Sequence, residues 1–346
     1  MKFTHRMNRL SAGFAVGACL LALGATCARA GEIGHYVPGL PNIRDFAVPD
    51  PGFYSAIYDY WYSTDQLNDG NGDKVSSVRV GPGPGVKVNV DVNVDLYAVS
   101  PMFIWVTDYK IAGAKYAAYI APSFATASIG ASLSTATGRG LDGNVSSHFG
   151  VGDLLVQPIW LGWSLTNWDF AVGYGVYAPI GRYNTENLTL PNGASITAEA
   201  TDNIGLGFWT HQLQGAASWY PWADKRMAVA AALTYEIHSE KEDYDLTPGQ
   251  DLTLNYGVSQ YLPLTKDQKL LLEIGPAGYS SWQITDDTGS DAKNPNVHDE
   301  VQGIGGQLGL TYVPWLLSVN THYFHEYSAE DRFQGEAYGV NLAKKF

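Results

Sequence analysis

The polar residues that could do chemistry recur in steps of two. Between Val86 and Leu96, Lys87, Asn89, Asp91, Asn93 and Asp95 alternate with Val. Side chains two apart on a strand share a face, so this spacing describes a polar wall, not a catalytic constellation. The same parity places Asp153 and Gln157, Asp169, Glu236 and His238, Asn255, Glu273, and Asn320 with His322 on one inner face of successive strands. His211 lies where the alternation is too noisy to assign. Such a lumen sets many carboxylates against one lysine, which favours cations and neutral polar molecules over anions.

Catalytic and metal motifs are few. Asp69, Asn71 and Asp73 match the opening of a calcium loop, but Lys74 stands where the loop needs glycine and Val80 where it needs the closing glutamate. The chain has no G-x-S-x-G and no H-E-x-x-H. Gly303-Ile304-Gly305-Gly306 lacks the third spaced glycine of a dinucleotide loop. His322 and His325, three apart on a strand, point to opposite faces and do not share a metal. The reading is a non-enzyme with no cofactor. A hydrolase whose triad is scattered in sequence is the alternative.

The elements that hold these residues follow from composition. Of 346 residues, 45% are hydrophobic and 16% charged, with 38 Gly and 10 Trp. A net charge of -13 excludes nucleic acid as a partner, because phosphate contacts need clustered Lys and Arg. Lys2, Arg6 and Arg9, the apolar run Leu10 to Leu23, and Ala28-Arg29-Ala30 form a secretory signal peptide over residues 1–30. Cys19 and Cys27 both lie inside it, so the exported chain carries no thiol. Its loss removes four of 21 basic residues and none of 34 acidic ones, leaving a balance of -17.

Beyond it the period is two. Tyr54 to Trp61, Val86 to Leu96, Ala114 to Ser128, Asp153 to Trp163, Trp168 to Ala178, Leu206 to Tyr220, Met227 to Ser239, Leu252 to Leu262, Leu270 to Tyr279, Ile304 to Tyr312, Leu317 to Phe324 and Tyr338 to Phe346 make about twelve strands. The eleven-residue alternation at Val86 suits a tilted transmembrane strand of about nine to eleven residues. Connections alternate long and tight. Trp105, Tyr109, Trp163, Trp168, Trp219, Tyr220, Trp222, Tyr261, Tyr312 and Trp315 gather at the tight ones as an interfacial girdle. The fold class is therefore an all-β transmembrane antiparallel barrel over residues 53–346, with long outer loops and short periplasmic turns. Residues 31–52, rich in proline, precede it as a luminal plug or a periplasmic tether. The parity of Val86 to Leu96 sends Val88, Val90, Val92 and Val94 to lipid.

Several segments resemble one family. Gly34-His35-Tyr36-Val37-Pro38-Gly39, the aromatic first strand, Tyr97 to Pro101 leading to Trp105, Gly152-Asp153-Leu154 through Gln157-Pro158, and Tyr177-Ala178-Pro179-Ile180-Gly181-Arg182-Tyr183 are similar to the outer-membrane family named for the meta-pathway of phenol degradation, especially its SphA-like branch. The C-terminal strand, ending at Phe346, resembles the signal that outer-membrane barrels present to the barrel-assembly machinery, with Lys344 breaking its pattern. The family resemblance implies passive passage of small hydrophobic or aromatic compounds, or of sphingosine-type long-chain amines. Outer-membrane lipid and lipopolysaccharide, met by acidic outer loops, are the other expected partners. A closed structural or adhesive barrel is a further alternative.

Overall fold

A computed structural model describes residues 33–80, 85–135, 140–189, 195–200 and 202–346. The signal peptide expected at residues 1–30 lies outside them. In chain order the described strands are β1 (Gly52–Thr64), β2 (Ser77–Val80), β3 (Val86–Ile111), β4 (Ala114–Thr135), β5 (Gly140–Ser146), β6 (Gly150–Ser164), β7 (Trp168–Ala178), β8 (Thr185–Thr189), β9 (Ser195–Glu199), β10 (Thr210–Trp219), β11 (Met227–His238), β12 (Asp251–Pro263), β13 (Leu270–Gln283), β14 (Glu300–Tyr312), β15 (Leu317–Glu330) and β16 (Glu336–Lys345).

Twelve of them, β1, β3, β4, β6, β7 and β10 to β16, form one closed antiparallel ring. Closure runs through β1 against β16, with Tyr54 opposite Lys345 and Ser63 opposite Glu336. Phe346 adds a last rung by donating its N–H to the Phe53 carbonyl at 2.8 Å. A ring has no free edge, so the strand amides and carbonyls are paired without water, as hydrocarbon requires. Ladder pairing skips around Pro101, Pro122 and Pro158, each of which lacks the N–H a rung needs.

The outward surface shows where lipid lies. Phe103, Ile120, Leu213, Ile274, Leu308, Val340 and Leu342 are exposed. At the tight-turn end the exposed rings Phe53 and Trp105 stack, Trp168 stacks on Phe170, and Tyr312 meets Trp315 edge-on. An apolar band with an aromatic rim is the outer surface of an outer-membrane barrel, and the protein is placed there. Two expected girdle residues turn inward instead. Tyr220 is buried with its hydroxyl on Asp169 (2.7 Å), and Tyr261 lies under the Arg44 guanidinium at 4.0 Å. Both rings hold cations inside the barrel, an inward demand that the girdle pattern does not register.

The alternating segment at Val86 is the clearest correction. β3 runs 26 residues, far more than the roughly nine to eleven that cross a bilayer. Its first half therefore stands above the membrane. There Val90, Val92 and Val94 face inward, where Val78, Val90, Val92, Ala131 and Leu133 form a small core covered by Leu67, Val75 and Phe333. Lys87, Asn89, Asp91, Asn93 and Asp95 are exposed on the outer face and do not line the lumen. Farther down the same outward face carries Phe103 and Trp105. Alternation reveals that one face is apolar, whereas the medium outside, water here and lipid below, decides which way that face turns.

The outer loops tie to one another. Thr247 and Thr288 form a bridge, and Ser290 donates through both its hydroxyl and its N–H to Asp245, holding that carboxyl below its usual range. Asp286 pairs with His298 at 2.8 Å. In the loop after β1, Asp69 Oδ1 accepts the N–H groups of Asn71 and Asp73, so this carboxylate caps its own turn.

Candidate functional site

Residues 33–51 run down the inside of the barrel from the loop end to the turn end, where β1 begins. Proline at positions 38, 41, 49 and 51 keeps this segment out of the sheet. The side chains that parity places on the inner face receive it instead. At the outer end His35 sits between Asp153 (Nε2 to Oδ2, 2.9 Å) and Thr210 (Nδ1 to Oγ1, 2.7 Å), stacked on Tyr177. The Tyr36 N–H points at both Glu236 carboxylate oxygens, at 3.0 and 3.1 Å. Asn255 accepts the Gly39 N–H (2.8 Å) and donates to the Tyr36 hydroxyl (3.0 Å). Gly39 has φ +75°, and a Cβ there would lie 2.9 Å from the rings of Tyr279 and Phe324, so only glycine fits.

Lower down, Ile43 to Phe46 form a single 3-10 turn whose Ile43 and Phe46 join the barrel core. Ile43 donates its N–H to Gln307 (3.0 Å), and Asn341 donates to the Leu40 carbonyl (3.1 Å). Arg44 is the anchor. Its guanidinium reaches Glu273 (3.2 Å), Ser259 (2.9 Å) and the carbonyls of Lys225 and Arg226, capped by the Tyr261 ring. A half-buried guanidinium with several acceptors, set against a buried carboxylate, is the arrangement that offsets desolvation. The Tyr58 hydroxyl donates to Asp45, and Lys115 pairs with Asp50 at the exit.

The remaining inward positions divide. Asp169 binds Lys225 and Tyr220, each at 2.7 Å, at the turn end. Gln157 accepts from the Tyr119 hydroxyl at 2.7 Å. Asn320 Oδ1 and both ring nitrogens of His322 are buried without a hydrogen-bond partner among the described residues. Asp153, Gln157, Asp169, Glu236, His238, Asn255, Glu273, Asn320 and His322 are all buried on the inner wall. Asp153, Glu236, Asn255 and Glu273 contact the inserted segment directly, so this part of the wall is a socket.

Sequence reading missed Thr210, the hub of the socket, fully buried on β10. Its hydroxyl meets the Nδ1 atoms of His35 and His238, both at 2.7 Å, while His238 Nε2 reaches Asp251 at 3.0 Å. The chain Asp153–His35–Thr210–His238–Asp251 joins the segment to four strands. One hydroxyl proton cannot serve two unprotonated Nδ1 atoms, so complete pairing requires one Nδ1 to carry a proton of its own. The side-chain types match a nucleophile triad. The access does not, because Thr210 is sealed and both histidines already engage its oxygen. His211, its neighbour, faces outward and bonds the Tyr174 hydroxyl at 2.8 Å; three polar residues in a row, Thr210, His211 and Gln212, are what hid Thr210.

Between the segment and the β1, β3, β4, β6, β7 and β10 side of the wall lies a cavity of about 510 Å³. Tyr58, Tyr60, Met102, Ile104, Tyr119 and Tyr177 give it an aromatic and aliphatic lining. Asp153 on its wall is already held by His35 and by the N–H groups of Gly181 and Leu206.

The family model described as "Putative MetA-pathway of phenol degradation" matches residues 64–342. No curated protein sequence matches. Among solved structures, the COG4313 outer membrane channel from Pseudomonas putida F1 is 15% identical, with a TM-score of 0.57 over 90% of this chain and 100% of that one. The beta domain of the Bordetella autotransporter BrkA is 10% identical, with a TM-score of 0.47 over 86% of this chain and 100% of that one.

Proposed function

We propose that this chain, which belongs to the MetA-pathway phenol-degradation family, is an outer-membrane channel for small neutral hydrophobic solutes, aromatic ones above all. The aromatic-lined cavity carries this reading. About 510 Å³ of mostly apolar wall with a few fixed polar groups is the usual form of a small-molecule site. Rings on the solute meet Tyr58, Tyr119 and Tyr177, and burial of apolar surface supplies the affinity. Long-chain amines fit less well, because the Asp153 carboxylate is already occupied by three donors. Entry is from the loop end, and onward passage requires residues 33–51 to shift from their socket.

Uptake of a monoaromatic solute and of a long-chain amine into proteoliposomes tests this reading. Met102→Trp and Ala121→Trp, both on the cavity wall, should each slow aromatic uptake at least fivefold. Uptake indifferent to both substitutions would dismiss the cavity as the path.

A further inference from the structure

At the outer end of the socket Glu236, His238 and Asp251 converge. All three are buried, and one potential ligand atom from each lies within 4.8 Å of the others. Two carboxylates in such a place need a cation or protons, since burying bare charge costs several kcal/mol per ion. Among the described residues neither forms an ion pair with Lys or Arg, and His238 is the only basic group paired with Asp251. Arg332, whose field also reaches Asp251, is bound to Asp299 at 3.1 Å.

The surroundings are arranged as around a metal. His238 directs Nε2 into the cluster while Nδ1 is fixed by Thr210, so the ring is oriented through its second nitrogen as metal-bound imidazoles are. Glu236 is steadied by the Tyr36 N–H. Gly34 packs its backbone directly against both carboxylates. A Cβ on Gly34 would sit 2.5 Å from Asp251 Oδ2 and closer still to Glu236 Oε2. One imidazole with two carboxylates suits a divalent transition ion better than calcium or magnesium, whose ligands are all oxygen.

We propose that Glu236, His238 and Asp251 bind a divalent transition ion of the Zn²⁺ class, which clamps residues 34–36 against β11 and β12. The ion replaces the His238–Asp251 hydrogen bond with two bonds to itself and neutralises both carboxylates. It lies beside the His35–Asp153 pair and stabilises the inserted state of the segment. The site stands on the socket geometry alone and does not depend on which solute the channel carries.

Equilibrium dialysis of the chelator-stripped full chain, folded in detergent, against Zn²⁺ tests it. The expected result is one Zn²⁺ per chain with micromolar dissociation, weakened at least tenfold by Glu236→Gln or Asp251→Asn and abolished by His238→Gln. His298→Ala, which removes the exposed His298–Asp286 pair, should leave binding unchanged. Gly34→Ala drives a methyl against both carboxylates and displaces them without altering a strand, and should abolish binding in a barrel of unchanged electrophoretic mobility, a control should the strand variants fail to fold. Absence of stoichiometric binding by the wild-type chain at 100 micromolar Zn²⁺, or binding that survives Gly34→Ala, overturns the proposal.

Discussion

Replacing Arg44 with Met should release the inserted segment. Arg44 lies at 3.2 Å from Glu273, whose side chain is 3% exposed, and the same guanidinium fixes two carbonyls of the turn between β10 and β11. Removing one partner of a buried ion pair typically costs about 3 to 5 kcal/mol, because the other charge stays buried alone. At about 1.4 kcal/mol per factor of ten, the low end shifts the docked-to-released ratio by roughly 150-fold. Single-channel recording in planar bilayers reads that ratio as open time, and limited proteolysis of residues 33–51 reads it independently. The double variant Arg44→Met with Glu273→Gln removes the stranded charge and should recover at least tenfold of the loss. Unchanged open time and protease resistance in the single variant would refute the anchor. A double variant as open as the single would refute the buried-charge explanation.

Other consequences are as direct. Gly39→Ala forces a side chain into positive φ and against two rings, and should loosen the segment by about 1 to 2 kcal/mol, measured by the same proteolysis. Asp91→Lys and Asp95→Lys, on the outer face of β3, should leave the reversal potential within a few millivolts of the parent; a large shift would restore them to the lumen. Leu308→Arg, on the lipid face of β14, should lower folding stability in vesicles by about 2 to 4 kcal/mol in urea titrations.

The strand count was legible because a period of two and alternating loop lengths are local signals, and all twelve segments named from sequence correspond to ring strands. The residues assigned by parity on β6, β7, β11 to β13 and β15 are buried on the inner wall, where the outward neighbour is lipid and polar side chains turn inward. Parity reversed at Lys87 to Asp95 because water replaces lipid above the membrane. The socket was harder to read. His35, Tyr36 and Arg44 lie more than 100 residues from their partners on the wall, and no local pattern records such pairing. Thr210 carries no charge and sits where the alternation falters, so nothing in its neighbours marks it.

The occluding role of residues 33–51 is tested most directly by deleting residues 33–46 and measuring monoaromatic uptake into proteoliposomes beside the full chain. Removal of Arg44 and the stretch leading to it should leave a barrel that admits the solute at least tenfold faster. Equal rates through a correctly folded barrel would contradict the account.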